Sequence, residues 1–441
     1  MQLPDGTVLI FVYRLNGRLR YIFHVIFSIL RVPYHFTTKI EEFVAYNGPK
    51  FSYTRSRLGN EFHIHAHGLL DEKGVKKQDI TTGKWEDLPV LFTTTANASL
   101  PFDLFSAAFY LITRYEEYLS TARDEHGRFP HEESMAYRLR FLDKPLVDLW
   151  LAAFKKTFEA YHEGFRFPPP AFYFRPLLNV SISHLFKHKG IIRHAGGILD
   201  NLFHLDFKYL RYRLIYLFSK KRDPYDTFYK FIALKKQYRH DLIAFFPVSP
   251  FSDFDRNLPL TRPAYRKVIK TMSDYADTGL TVSYHHAYDA EKIKAERKAL
   301  ETIIHKPVKK ARFHYYRQRL PVSCQILQKE EFKEDFSCGY PKAAGFRAST
   351  AHPFPFYDLS EEERTGLTVH PVVISDYHLN YAYGLSPGEA AEQFIRTGEQ
   401  IRRTGGWFRP LFHNSVLSEF EEWKGWSQVY VKILEHYARK D

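Results

Sequence analysis

Cysteine is nearly absent from this chain, which has only Cys324 and Cys338 among 441 residues. Two cysteines cannot build the disulfide framework of a small secreted scaffold, and their spacing fits neither a zinc motif nor a thioredoxin-like motif. We therefore expect both to be buried thiols in a protein of a reducing compartment.

Long hydrophobic runs are also missing. The longest apolar stretch, residues 21–32, is interrupted by His24 and Arg31 and is shorter than the roughly 20 residues that a membrane-spanning helix needs. Residues 1–6 contain no basic segment followed by an apolar run, so they predict no secretory signal. Together these absences lead us to expect a soluble, cytoplasmic protein.

Aromatic and basic residues are abundant instead. The 39 Phe and 30 Tyr bring the aromatic share to 17%, and hydrophobic residues make up 44% of the chain. This composition supplies a sizeable core and excludes a disordered protein. The net charge of +13 favours anionic partners, namely a polysaccharide, a lipid surface or a nucleic acid.

Two basic stretches, residues 211–222 and 306–319, mix Lys and Arg with aromatic residues. Such stretches can stack on bases while neutralising phosphates. No specific nucleic-acid motif accompanies them, and solvated helix faces or loop edges explain them more simply. Peripheral contact with an anionic surface stays open as a further class of partner.

The chain is predicted to divide at residues 166–174, whose sequence RFPPPAFYF contains three consecutive prolines. Such a segment fits neither a helix interior nor a central strand. We expect one domain over residues 1–165 and a second over 172–441. The first mixes short strand-like segments with two helices, 102–119 and 145–162, which is typical of an α+β unit of unknown role.

After the linker, strand-like and helical segments alternate. Asp223-Pro224 is predicted to start one helix, and a capping box at residues 386–389 starts another that ends at Thr404-Gly405. The strand-like runs begin near Phe172, Leu242, Leu280, Lys309, Asp335, Thr368 and Trp407. This pattern predicts an α/β fold, a deformed (β/α)7-type barrel preceded by a smaller α+β domain.

Polar and titratable residues recur where these strands end. In strand order they are Asn179, Ser181 and His184; Asp253 and Asp255; His285, His286 and Asp289; Arg312 and His314; Asp376; and His413 with Asn414. In barrels of this kind the carboxyl ends of the strands form the site. The sequence therefore predicts one functional site at that end, and the acids of the Asp253–Asp255 turn either belong to it or only shape the turn.

Several longer strings carry a family resemblance. They span residues 42–53, 104–118, 124–130 and 144–150 in the first half, and 312–321, 338–358 and 423–426 in the second. The second half resembles a polysaccharide deacetylase domain (NodB-type, carbohydrate esterase family four). Nearly the whole chain resembles a bacterial subfamily in which that domain follows an uncharacterised N-terminal domain.

The resemblance implies metal-dependent removal of N- or O-acetyl groups from a glycan or acetylated sugar. Deacetylases of this type bind a divalent metal, often zinc, through one Asp and two His, and a neighbouring Asp is the general base. A histidine in a Leu-x-His motif protonates the leaving amine. The chemistry is reasonable because a bound cation lowers the pKa of water towards about 7 and polarises the acetyl carbonyl.

Matching positions assign roles to residues of this chain. His285 matches the first histidine of the second motif, and Asp289 stands where the second histidine is expected, an exchange that zinc tolerates. His314 is an additional potential ligand, within the arginine–aromatic motif that begins at Arg312. His413 matches the catalytic acid.

The resemblance also assigns Asp376, as the residue that orients His413 by fixing its tautomer. Arg312 is grouped with these two as part of the catalytic machinery.

The first motif departs from the family pattern. Asn179 and Ser181 occupy the positions of the Asp-x-Asp pair, and neither can act as a carboxylate base or as an anionic ligand. His286 or His184 is a conceivable replacement base. Two functions therefore stay open: a metal-dependent deacetylase with a degenerate motif, or an inactive relative that binds a glycan or a partner protein through the same cleft.

Overall fold

The computed structural model describes residues 3–94 and 97–438. Within these residues, no helix combines the length and the apolar character that crossing a membrane requires. Both cysteines are buried and unpaired, as expected from their number.

The first half combines a small sheet with flanking helices. Its elements are β1 (Val8–Phe11), α1 (Gly17–Leu30), β2 (Tyr34–Thr37), α2 (Ile40–Ala45), β3 (Lys50–Thr54), β4 (Phe62–His65), β5 (Thr82–Trp85), β6 (Leu88–Leu91), α3 (Leu104–Ile112), α4 (Tyr115–Leu119), α5 (Met135–Arg138) and α6 (Leu146–Tyr161). Strands β2, β1, β3 and β4 lie side by side in that order and all run parallel. Helices α1 and α2 return the chain before β2 and β3, a loop joins β3 to β4, and β5 and β6 form a separate antiparallel pair. The α+β class of the first half stays a prediction.

The helix predicted over residues 102–119 is two helices. Arg114 adopts a left-handed conformation with φ 57° between α3 and α4. This conformation costs energy for a residue with a side chain, and it directs the Arg114 guanidinium onto Glu116 and Glu117, at 2.6 and 2.9 Å. The break thus places a buried ion-pair cluster at the surface that meets the second half.

The second half contains ten strands and eight helices within the described residues. They are β7 (Phe172–Phe174), β8 (Leu177–Asn179), α7 (Ile191–Phe203), α8 (Phe207–Phe218), α9 (Phe228–Tyr238), β9 (Ile243–Phe246), α10 (Pro263–Ser273), β10 (Asp277–Val282), α11 (Ala290–Ile304), β11 (Lys310–Phe313), α12 (Val322–Lys329), β12 (Glu334–Cys338), β13 (Phe354–Asp358), β14 (Glu363–Pro371), α13 (Pro387–Thr404), β15 (Gly406–Phe408), β16 (Leu411–His413) and α14 (Ser427–Tyr437).

Eight of these strands form one curled sheet in the order β13-β14-β12-β11-β10-β9-β8-β16. The seven from β14 to β16 run parallel, and β13 adds an antiparallel edge. Just after β14, Ser375 forms a parallel bridge with Leu411 of β16, and the Leu411 amide donates to the Ile374 carbonyl at 3.0 Å. The segment after β14 thus lies next to β16, so the two edges of the parallel part of the sheet meet. The predicted segments near Phe172 and Trp407 begin in β7 and β15, a separate parallel pair just before β8 and β16.

One of the two predicted helix starts is confirmed. Ser386 and Glu389 form the capping box of α13, and Gly405 follows its last residue. The other prediction is wrong: α9 begins at Phe228, five residues beyond Asp223. The Asp223 carboxylate instead accepts hydrogen bonds from three successive amides, those of Leu185, Phe186 and Lys187, and so fixes the loop after β8.

The two halves pack on one shared hydrophobic core. Polar contacts also join them. Glu117 of the first half binds Arg347 of the second at 2.6 Å, and the Asp148 carboxylate accepts from the Thr350 hydroxyl at 2.6 Å and from the Ala351 amide at 2.8 Å. The domain boundaries at 165 and 172 stay a prediction, since the core runs across them.

Candidate functional site

A pocket of about 350 Å³ lies at the carboxyl ends of the parallel strands. It brings together five residues that the sequence placed at strand ends: Asn179, Ser181, Arg312, His314 and His413. Aromatic side chains complete much of the wall, among them Phe254, Tyr315 and Tyr377. Most of the remaining wall is polar or charged, including four histidines and three arginines, and a pocket in which polar groups converge beside aromatic rings is typical of a ligand site.

His413 is held by the fully buried Asp376. The His413 Nδ1 lies 2.6 Å from the Asp376 Oδ1, and the His413 backbone amide donates to the Oδ2 at 2.6 Å. The carboxylate makes Nδ1 the protonated nitrogen, so Nε2 is the basic atom on the pocket side. The ring of Tyr377 packs against the imidazole with 4.0 Å between centroids. This arrangement fits the positioning role predicted for Asp376.

His314 has a carboxylate partner too, which the sequence did not identify. Its Nδ1 lies 2.8 Å from the Asp255 Oδ1, and Asp255 also accepts from the Tyr284 amide at 3.0 Å. Burial alone raises the pKa of Asp255, but the hydrogen bond and the charge of His314 outweigh it, and the pKa falls below its ordinary value. The two acids and two histidines thus form two equivalent His–Asp pairs that face one pocket.

Asn179 and Ser181 bond to each other. The Asn179 side-chain amide donates to the Ser181 hydroxyl at 2.9 Å, while the Asn179 carbonyl oxygen accepts from the Thr281 hydroxyl at 3.0 Å. Each polar atom of the Asn179 side chain has a neutral partner. Residues 179 and 181 therefore bring no negative charge to the pocket.

The predicted metal ligands do not converge. Asp289 is the N-cap of α11 and accepts from the Lys292 amide at 3.0 Å, while His285 is exposed outside the pocket wall. His314, the third predicted ligand, is bound to Asp255. Across residues 3–94 and 97–438, no three His, Cys, Asp or Glu side chains are arranged to hold a metal ion. The donor set thus does not fit the predicted zinc centre, because Asp289 serves its own helix.

Neither candidate for a replacement base occupies the pocket wall. His286 Nδ1 lies 2.7 Å from Glu296, and this hydrogen bond raises the pKa of His286 despite partial burial. His184 is buried with its Nδ1 3.2 Å from the Ser183 hydroxyl. Asp253, the other acid of the second strand end, is exposed.

Two consecutive residues beside the pocket have a left-handed backbone. Tyr315 and Tyr316 have φ 58° and 55°. For residues with a side chain this conformation costs of order 1–3 kcal/mol each. It turns both side chains into the pocket wall, and a short π-helix over His378–Ala382 follows Asp376 on the other side. Such π-helical turns are also common at functional sites.

A loop of the first half closes one side of the pocket, and sequence reasoning missed it. His126 contacts the Tyr284 hydroxyl through its Nδ1 at 2.9 Å. Arg128 donates to the Tyr315 carbonyl at 2.7 Å. Asp124 organises the turn by accepting from the amides of both loop residues. The available signal was the string at residues 124–130, in which an Asp precedes a His-Gly-Arg turn.

Comparisons with known proteins give limited similarity. Residues 8–163 match a family of unknown function, DUF7033. No curated protein matches the chain. Among solved structures, the chain is similar to a polysaccharide deacetylase from Mycobacterium smegmatis, with 11% identity, a TM-score of 0.39, and coverage of 60% of this chain and 85% of that one. It is also similar to a polysaccharide deacetylase from Bacillus cereus, with 11% identity, a TM-score of 0.26, and coverage of 60% and 86%. At these values the likeness does not determine the chemistry of the pocket.

Proposed function

We propose that this chain is a polysaccharide-deacetylase-like protein whose pocket binds a glycan without zinc-dependent hydrolysis. On this proposal residues 172–441 form a deformed (β/α)7 barrel of the NodB type, and residues 1–165 form a domain that completes its pocket. The long strings shared with the deacetylase subfamily and the His413–Asp376 pair support this assignment.

The observation that carries the proposal is the Asn179–Ser181 pair. A hydrolytic zinc site needs anionic ligands and a base near the metal-bound water. At this position the chain has an amide bonded to a hydroxyl, and Asp289, the acid offered by the sequence as a substitute, caps α11. The aromatic wall and the donors around it suit a sugar, since such pockets bind by apolar contact and a few oriented polar groups.

A titration tests this function. Untagged full-length protein is titrated calorimetrically with N-acetylglucosamine oligomers and with O-acetylated xylo-oligosaccharides, and acetate release is measured with and without added zinc. We expect saturable binding and acetate release no faster than in the protein-free blank. Tyr377→Ala should weaken binding about tenfold, because an aromatic contact within a desolvated pocket contributes strongly. The control Tyr229→Ala, at an exposed position on α9, should bind like the wild type.

Zinc-stimulated acetate release would contradict the proposal, and so would the absence of binding to both oligomer types. A second candidate function, deacetylation without metal, is favoured by the two His–Asp pairs. In it His314 takes a proton from water as the water attacks the acetyl carbon, and His413 protonates the leaving group. Acetate release that persists in chelator and disappears in His314→Gln would establish this second function in place of the first.

A further inference from the structure

Arg312 is a buried cation, and two of its three guanidinium nitrogens have no hydrogen-bond partner among the described residues. Its side chain is only 3% exposed, and its Nε and Nη1 have no partner among the described residues. The guanidinium lies over the ring of Tyr316, 5.0 Å from the centroid, and the buried Tyr316 hydroxyl is unpaired as well. Both residues line the pocket. A buried charge left unpaired is costly, so this pair of donors indicates a missing acceptor.

The nearby acids do not supply that acceptor. The Asp376 carboxylate is bound to His413 and to the Tyr377 amide. The Asp335 carboxylate is bound to Gln318 and Ser337. Among the other basic residues of the wall, Arg128 is paired with Asp124 at 2.7 Å, Lys342 with Glu125 at 2.9 Å, and Arg256 donates to the Asp253 carbonyl at 3.0 Å. Arg312 and Tyr316 are thus left in the wall without an acid that accepts from them.

We infer that Arg312 and Tyr316 bind an oxyanion of the ligand, a carboxylate or a phosphate ester carried by the glycan. The inference rests on the proposed glycan-binding function and adds the ligand's charge. A planar guanidinium pairs well with either group. The same reasoning explains the neutral first motif, because carboxylates at residues 179 and 181 would add negative charge to a pocket built to receive an anion.

Small probes test the inference in the full-length protein. Glucuronate, glucose 1-phosphate, inorganic phosphate and glucose are titrated calorimetrically at constant ionic strength. We expect glucuronate or glucose 1-phosphate to bind saturably and glucose to bind at least tenfold more weakly. Binding of inorganic phosphate as tightly as the sugar phosphate would make the site one for the free ion and overturn the glycan ligand.

Variants separate the charge from the fold. Arg312→Gln should weaken anion binding about 10- to 100-fold, and Lys342→Gln, at an exposed position of the rim, should change it less than threefold. If Arg312→Gln does not fold, Tyr316→Phe removes one donor with no change in charge and should weaken binding several-fold. Unchanged anion binding in both variants, or no anion binding at all, would overturn the inference. Neutral acetylated oligomers that bind while anions do not would overturn the subsite alone and leave the proposed function standing.

A second, independent feature is the hairpin of α7 and α8, which follows β8. Helix α7 is amphipathic, but it exposes its apolar face and turns its polar face towards the protein. Its apolar residues Ile191, Ile192 and Phe203 are 88%, 89% and 85% exposed, whereas its polar residue Asn201 is buried. On a helical wheel Ile191, Ile192, Leu199, Leu202 and Phe203 share one face. Phe207 and Phe218 of α8 are exposed beside it, at 61% and 86%.

The hairpin is anchored by its polar face and by one aromatic cluster. Arg193 donates to the backbone carbonyls of Asn257 and Arg256. Tyr212 and Tyr216 of α8 pack on Phe420 and Phe186. These contacts hold the apolar face outward, so its exposure is a consequence of how the hairpin is attached. Contiguous apolar surface of this kind marks an interaction site.

The charge of the hairpin indicates which kind of partner covers the apolar face of α7. Residues 187–222 include two acids, Asp200 and Asp206, and nine basic residues: Lys187, Lys189, Arg193, Lys208, Arg211, Arg213, Lys220, Lys221 and Arg222. A second copy of the chain, with a net charge of +13, would bring the same positive field against itself. An exposed apolar face on a hairpin with an excess of Lys and Arg matches the interface of an anionic bilayer.

We propose that the α7–α8 hairpin docks on an anionic lipid surface, with the apolar face of α7 at the level of the headgroups. The hairpin follows the loop after β8, a strand whose last residue, Asn179, lines the pocket. Docking would therefore hold the pocket close to the lipid surface, whichever ligand the pocket binds.

Vesicle co-sedimentation tests the docking in the full-length protein. We expect binding to vesicles of phosphatidylglycerol and phosphatidylcholine, little binding to phosphatidylcholine alone, and a marked loss between 50 and about 500 mM salt as screening increases. The variant Ile191→Ser with Ile192→Ser and Phe203→Ser should reduce binding at least tenfold. The control Val44→Ser replaces an apolar residue of the first half that is 69% exposed and should bind like the wild type.

Absent vesicle binding, or binding that the triple variant leaves unchanged, would overturn the docking. Analytical ultracentrifugation separates the remaining alternative: a wild-type dimer that the triple variant converts to a monomer would assign the face to a second copy of the chain. A monomeric wild type that sediments with anionic vesicles supports the proposal.

Discussion

Replacing Glu117 with glutamine is expected to destabilise the protein by about 3–5 kcal/mol, because the buried Arg347 loses its paired carboxylate and Arg114 keeps only Glu116. Glu117 contacts Arg114 at 2.9 Å and Arg347 at 2.6 Å, and its side chain is 4% exposed. Burial by itself raises the pKa of Glu117, but the two arginines outweigh it and lower the pKa to about 2. Urea unfolding at pH 7 measures the effect.

The sign of the pH dependence follows from this lowered pKa. The stabilisation by Glu117 is complete above the pKa of the unfolded chain, about 4.3, and is lost as the pH falls through about 2. The difference between the wild type and Glu117→Gln should therefore shrink below about pH 4. Glu133→Gln, an exposed control without an ion pair, should stay within about 0.5 kcal/mol of the wild type. If Glu117→Gln lowers the free energy of unfolding by less than about 1 kcal/mol, the result would contradict the stabilising role of this ion-pair cluster.

Asp148→Asn is expected to remove a pH dependence of up to about 4 kcal/mol. Burial raises the pKa of Asp148 to about 7 from an ordinary value of 3.8, although Thr350 and Ala351 donate to its carboxylate. The folded protein therefore holds a proton that the unfolded chain releases between pH 4 and 7. The contribution is present below the unfolded pKa and is lost as the pH rises through about 7. Asparagine accepts from the Ala351 amide and donates to Thr350 at every pH.

The measurement is the free energy of unfolding of both proteins at intervals from pH 4.5 to 8. The variant should gain stability relative to the wild type as the pH rises and the gain should level off above pH 7. Groups common to both proteins, such as the buried histidines, cancel in this difference. Asp143→Asn is an exposed control in the loop before α6, and its free energy of unfolding should match that of the wild type at each pH. Parallel curves for the wild type and Asp148→Asn would contradict an uncharged Asp148.

The sequence predicted best where the partners of a residue are its neighbours in the chain. The capping box of Ser386 and Glu389 is local and appeared as expected, and the alternating segments after the linker located the parallel strands. The same local rule could have assigned Asp289, which precedes a helix and caps it. Matching to the family predicted Asp289 as a metal ligand instead, but its carboxylate accepts a hydrogen bond from the Lys292 amide of α11.

Residues whose partners are distant in sequence were beyond such reasoning. Asp223 has the signature of a helix cap, but the loop after β8 binds its carboxylate from 36–38 positions away. The sequence left open whether Asp255 belongs to the site or only shapes its turn, and only the fold places it against His314, 59 positions later. His126 enters the pocket from the first half because the two halves share one core. No periodicity in the sequence encodes such contacts.

On the proposed function, the pocket has the positioned histidines of a hydrolytic site but lacks its negative charge. Two histidines retain carboxylates that fix their tautomers, while the first motif is neutral and a buried arginine is left without an anion. Each change alone would weaken a zinc site. Together they describe a pocket that receives negative charge from its ligand.

Metal analysis of untagged protein, with the melting temperature measured before and after zinc is added, tests this account most directly. We expect well below one equivalent of divalent metal and an unchanged melting temperature. A true site at a zinc concentration of 100 times Kd would stabilise the fold by about 2.7 kcal/mol, a shift that is easily measured. Stoichiometric zinc with that shift would contradict the account, because it would show that the pocket assembles a metal centre from residues that now serve other partners.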